Sequence, residues 1–162
     1  MTRILLSTTF FISLTFATHG QSHTHLAKDL LLSLNGNFKW QILKPSENKV
    51  VREGFRHSRL KMDSLIVEIE ETFNNSDVQM TGLMGYNSST KKYFSINCYN
   101  VDMGPHVLFG EAVDENTIEF TDTQEVSTLR IVSPDKHEWS YQNLIGNKWV
   151  PRDLKITFTR IP

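Results

Sequence analysis

The sequence predicts an all-β domain, an antiparallel up-and-down β-barrel of about 8–10 strands with a short N-terminal helix. Three observations carry that prediction. After Gly36 almost every segment alternates apolar and polar residues at period two. Turn signals separate these runs at short intervals, among them Pro45-Ser46-Glu47-Asn48, Asn74-Asn75-Ser76-Asp77 and Gly146-Asn147. The links suit hairpins and leave no room for crossover helices. An open sheet of so many strands would twist strongly and expose two edges, so closure into a barrel is favoured over a sandwich.

The elements follow in chain order. Residues 1–20 read as a signal peptide: Arg3 supplies a positive start, Ile4 to Ala17 an apolar run, and Ala17, Thr18 and Gly20 the small residues of a cleavage site. The apolar run is shorter than the roughly 20 residues a spanning helix needs. No membrane span is then expected after cleavage, and no cysteine follows to carry a lipid anchor. The expected product starts near Gln21 and is exported, periplasmic or secreted. Residues 21–35 form a leader and short helix, in which Leu26, Leu30, Leu31 and Leu34 recur at helical spacing. Thr24 is a candidate cap, and Gly36 stands just past the end. Residues 36–162 form the barrel domain. Strands are expected near 37–43, 49–58, 60–73 (one long strand or two), 78–85, 91–99, 106–113, 116–121, 125–133, 136–144 and 152–160. Phe38, Trp40 and Ile42 share one face of the first; Leu65, Val67 and Ile69 share one face of the third, with Glu68 and Glu70 opposite.

Composition closes several doors. The chain has 162 residues with 17 basic and 18 acidic side chains, a net charge of -1, which leaves no electrostatic footprint for nucleic acid. The single cysteine, Cys98, excludes an intramolecular disulfide and a cysteine-built zinc site. In a strand it reads as a small buried hydrophobe. No nucleophile elbow, zinc-protease helix, phosphate loop or C-x-x-C occurs. No catalytic residue, metal or cofactor is assigned, and oligomeric state is not legible.

Several stretches resemble one family. Leu34-Asn35-Gly36-Asn37-Phe38 resembles the opening L-x-G-x-W strand of calycin-type barrels, with Phe38 in the tryptophan position. Residues 82–95, GLMGYNSSTKKYFS, resemble the G-x-x-G-Y-D-x-x-x-x-K-Y segment of an exported bacterial family, domain of unknown function 1579. The ending Ile156-Thr157-Phe158-Thr159-Arg160 is similar to that family's terminal strand, and residues 54–71 fit its early strand pair. Asn87 replaces the usual aspartate, Asn97 a common tryptophan, and Met62-Asp63-Ser64 stand where glycines are usual. The resemblance implies a lipocalin-like barrel. It also implies a closure role for Gly36, Phe38 and Arg160, with Arg160 packed over Phe38 or Trp40, and strand-and-turn geometry for Gly82, Gly85 and Tyr86.

The candidate site is a set of polar aromatics at strand spacing. Tyr93, Ser95, Asn97 and Tyr99 share one face, opposite Phe94, Ile96 and Cys98; His137, Trp139, Tyr141 and Asn143 share another. Turned inward, Tyr93, Asn97, Tyr99, His137, Trp139 and Tyr141 line a lumen together with Trp40. Turned outward, they leave Phe94, Ile96 and Cys98 to fill the core, and a one-residue register change decides which. Glu71 either points inward with Ile69 or marks a fraying strand end. The expected function is an exported small-molecule binding protein whose lumen takes a small hydrophobic or amphipathic ligand. The alternatives are a barrel with a filled core acting through surface residues such as Trp149 and His106, and a haem-binding barrel using His106 or His137. An enzyme built on Glu71, His137 and Tyr141 has no positive signature. His19, His23 and His25 read as a solvated leader rather than a copper or nickel site, and Asn74-Asn75-Ser76 and Asn87-Ser88-Ser89 match the glycosylation pattern.

Overall fold

The computed structural model describes residues 25–102 and 104–162. The expected signal peptide, Thr24, His19 and His23 lie outside the described residues. Ten strands run β1 Gly36–Lys44, β2 Lys49–Lys61, β3 Ile66–Phe73, β4 Gln79–Asn87, β5 Lys92–Tyr99, β6 His106–Asp114, β7 Thr117–Thr121, β8 Glu125–Ser133, β9 Lys136–Ile145 and β10 Lys148–Arg160. Each pairs antiparallel with its chain neighbour, and β1 pairs with β10 to close the barrel. Up-and-down order follows from the short links, and closure leaves no unpaired edge.

Two boundaries differ from expectation. The segment 60–73 is not one strand, nor does it begin at 60. β2 continues to Lys61, and a loop over 62–65 turns the chain into β3, so that Lys61 faces Ile66. Met62, Asp63 and Ser64 all sit at positive φ, 47°, 52° and 67°, without a glycine among them. Left-handed backbone in non-glycine residues costs energy, and a loop built this way has no glycine signature to mark it. Ser64→Gly is therefore expected to raise stability by about 0.5–1 kcal/mol, read as a higher urea midpoint with an unchanged slope. The second difference lies in β10, which starts at Lys148 rather than near 152. Gly146, at φ 62°, and Asn147 form a two-residue hairpin loop that keeps β9 and β10 paired out to Ile145 and Lys148. Pro151 falls at the register break between Pro151 and Lys155, the kind of irregularity where a strand tolerates proline.

Strand parity sorts the side chains. Phe38, Trp40, Val67, Ile69, Phe120, Leu129 and Phe158 are buried in the interior. In β5 the odd positions turn inward, so Tyr93 and Ser95 are buried and Cys98 is exposed. The expectation of a buried thiol is thus corrected, because the lumen takes the polar-aromatic face of that strand.

A helix over residues 25–33 plugs one end of the barrel. Ala27, Leu30, Leu31 and Leu34 are its buried stripe, at i, i+3, i+4 and i+7. Its last turn tightens through Leu34 N–H to the Leu31 carbonyl at 3.2 Å. Arg160, at the end of β10, donates from Nη1 to the Asn35 carbonyl at 2.7 Å and from Nη2 to the Ser33 carbonyl at 3.2 Å. A cation there satisfies the orphan carbonyls of a helix C-terminus and favours its dipole. The same guanidinium stands 4.7 Å from the Phe38 ring centroid. Gly36 lies between them at φ 125°, and a Cβ built on it would collide with Arg160 Nη1. No helix among the described residues is long and apolar enough to cross a membrane.

Candidate ligand-binding site in the barrel lumen

The end opposite the helix opens into a cavity of about 430 Å³. The lumen is therefore not filled, contrary to the packed-barrel alternative. Trp40, Phe73, Met80, Met84, Trp139 and Phe158 make up much of its apolar wall. Trp40 meets Phe73 edge-on at 4.6 Å between ring centroids, and Trp139 stacks on Phe120 at 5.5 Å. Gly54 faces both Trp40 and Phe73 across its two ladders, and any side chain there would meet the Trp40 indole and the Thr72 carbonyl. The glycine is what lets the indole lie against the sheet.

One charged pair stands in this wall away from the mouth. Arg56 and Glu71 are both buried. The guanidinium donates from Nε at 2.6 Å, and its Nη2 lies at 2.5 Å, both to the same carboxylate oxygen, Oε1. Arg56 Cζ also stands over Phe158, 3.9 Å from the ring centroid. The ladders place the pair: Arg56 faces Glu71, Glu71 faces Met80, and Met80 faces Tyr99. Across the lumen Tyr141 belongs to β9, opposite Ser127 of β8. Burial first, and then the neighbouring charges, Glu71 among them, raise the titration of both Tyr99 and Tyr141. Both phenols are thus neutral hydrogen-bonding groups at any ordinary pH.

The residues expected in the lumen divide into three groups. Trp40, Glu71, Asn97, Tyr99, Trp139 and Tyr141 line the cavity. Tyr93 faces inward but packs with Tyr86, 5.0 Å between ring centroids, at a smaller cavity near Leu26 on the helix side. His137 is buried outside the cavity lining, edge-on to Phe38 at 4.7 Å and stacked on Phe158 at 4.6 Å. Glu71 points inward, so the fraying-end reading is corrected. His106 stands at the mouth, 3.3 Å from Asp102. The two histidines considered for haem are not brought to one site, and His137 turns Nε2 toward Arg56 Nη1 at 3.5 Å. Among the described residues no three His, Cys, Asp or Glu side chains group as metal ligands.

Arg56 escaped the sequence analysis, although a signal for it existed. With the hairpin loop placed at 62–65, counting back along both strands pairs Glu71 with Arg56. Placing the strand boundary near residue 59 hid that pairing.

Burial, reinforced by Arg56 and then Arg160, pushes the His137 imidazole down to about 2. The ring is neutral in the folded protein, while in the unfolded chain it takes a proton near pH 6.5. The unfolded state therefore binds more protons between those values. The stabilisation is complete above the unfolded value and falls as pH drops, by about 1.4 kcal/mol per unit. Going from pH 7 to pH 5 should cost about 2 kcal/mol through this group. In urea melts across that range, His137→Phe should show a flatter pH dependence than the wild type. An equally steep one would show that His137 is not the group responsible.

Comparison with known proteins adds little. No family model matches the chain, and no curated protein matches it. A solved structure described as a redesigned β-barrel is similar at 12% identity and a TM-score of 0.47, covering 84% of this chain and 96% of its own.

Proposed function

We propose that the chain is a carrier: an exported barrel of lipocalin-like type, related to domain of unknown function 1579, that encloses one small, partly hydrophobic ligand. The observation that carries this reading is the open lumen. A cavity of about 430 Å³ whose aromatic and thioether walls are interspersed with polar groups has the size and character of a small-molecule site. Enclosure supplies the mechanism. Apolar walls drive the ligand out of water, and the tyrosines with the Arg56–Glu71 pair set its orientation. Export rests on the composition of residues 1–20, with a mature chain beginning near Gln21.

Native mass spectrometry of the mature protein, purified from an exporting host, tests the reading together with melting curves against a panel of small apolar and amphipathic compounds. A carrier shows a discrete adduct lost on denaturation, or a rise in melting temperature. A compound at one hundred times its Kd contributes about 2.7 kcal/mol. A bare mass combined with no shift from any compound overturns the proposal.

A further inference from the structure

We infer that the lumen selects ligands whose polar end is uncharged and can both accept and donate a hydrogen bond, an alcohol or phenol carried on a flat ring system. The inference rests on the carrier reading and names the ligand class it leaves open.

Charge balance at the cavity floor comes first. Arg56 and Glu71 neutralise one another there. The other charged groups of the lining have their own settings: Glu125 binds Arg152 at 2.8 Å, Asp102 lies 3.3 Å from His106, and Arg52 is exposed at the mouth. A ligand carboxylate or ammonium brought to the floor meets a net charge of zero. A carboxylate must either stay unpaired or break the existing pair, and an ammonium that reaches Glu71 places a second cation beside Arg56 on a single carboxylate, so each carries a desolvation penalty that the neutral pair does not offset. An uncharged group avoids both.

Hydrogen-bonding capacity comes second. Among the described residues, neither the Tyr99 nor the Tyr141 hydroxyl has a partner. Glu71 uses only Oε1 toward Arg56, leaving Oε2 without one. The lumen therefore offers hydroxyl donors from two phenols, both close enough to feel the Glu71 charge, and one strong acceptor from that carboxylate. A ligand hydroxyl can accept from a tyrosine while donating to Glu71 Oε2, a charge-assisted bond. A ketone could only accept, and an ether likewise, leaving Glu71 without a donor. The walls add the shape requirement: the Trp40–Phe73 pair and the Trp139 indole, separated from Trp40 by one strand around the barrel, present aromatic surface to a planar apolar body.

The test is isothermal titration at neutral pH, on the intact mature chain, with three probes that share one ring system: 2-naphthol, 2-naphthoate and 2-naphthylmethylammonium. The expected order puts 2-naphthol at least ten-fold tighter than either ion. Glu71→Gln, which keeps the side chain's shape but leaves Arg56 uncompensated, should reverse the order and favour 2-naphthoate. Binding led in the wild type by naphthoate or by the ammonium overturns the head-group assignment and leaves the carrier reading standing. Heat from none of the three, repeated with hydroxylated ligands of other shapes, overturns the carrier reading and this inference together. If Glu71→Gln fails to fold, the wild-type order alone decides the matter.

Discussion

Replacing Arg56 with methionine should destabilise the protein by about 3–5 kcal/mol, the cost of leaving a buried partner charge uncompensated. The expected value lies at the lower end, because Arg56 and Glu71 border an open lumen that water can enter. The loss has two components. Glu71 keeps its carboxylate in the barrel wall without the guanidinium that holds Oε1, and Phe158 loses the cation lying 3.9 Å from its ring centroid. Removing both charges is a different experiment. An Arg56→Met, Glu71→Leu double variant should be far more stable than the sum of the single effects predicts, since apolar groups of similar volume replace a buried pair with little loss. Equilibrium urea unfolding of the four proteins gives the coupling energy directly. A single variant within about 1 kcal/mol of wild type would mean that the pair is effectively solvated, and the charge-balance account of the lumen would fall with it.

Gly36→Ala should cost about 3–5 kcal/mol for a wholly different reason. Its φ of 125° belongs to backbone that side chains rarely adopt, a strain of about 1–3 kcal/mol. The added methyl also strikes Arg160 Nη1 and pushes the guanidinium away from the Ser33 and Asn35 carbonyls and off Phe38. Each charge-assisted bond lost adds about 1.5–3 kcal/mol at most. The two contributions separate in a cycle with Arg160→Ala. In that background the collision is gone and only the backbone strain remains, so Gly36→Ala should cost less. Hydrogen exchange over residues 25–33 should rise sharply in either single variant, because the helix is held at its C-terminus by Arg160 and at its flank by barrel packing. Additive costs with undisturbed exchange would show that the glycine serves only its own backbone.

Both predictions concern residues of very different visibility in the sequence. Gly36, Phe38 and Arg160 are legible as a group through their likeness to the calycin opening and closing strands, and the structure places them against one another. Arg56 is not, because its role depends on a hairpin loop whose residues lack glycine and so carry no turn signature. Cys98 and Tyr93 show a related limit. Alternation in β5 is plain from Tyr93 to Tyr99, yet period-two patterning says which residues share a face and not which face is inside.

Local chemistry alone therefore determined the all-β class, the short antiparallel links, nearly every strand and the short N-terminal helix, though not that the helix plugs the barrel. Backbone alternation, turn residues and helical spacing act over a few residues and leave their mark in sequence order. Tertiary structure decided which face of β5 looks into the lumen, that His137 lies beneath the cavity rather than in it, and that Arg56 neutralises Glu71. Each of these depends on ladder register accumulated around a closed barrel. A shift of one residue at any hairpin would reverse the inside and the outside of a strand, so the site exists only once the ring of ten strands has closed.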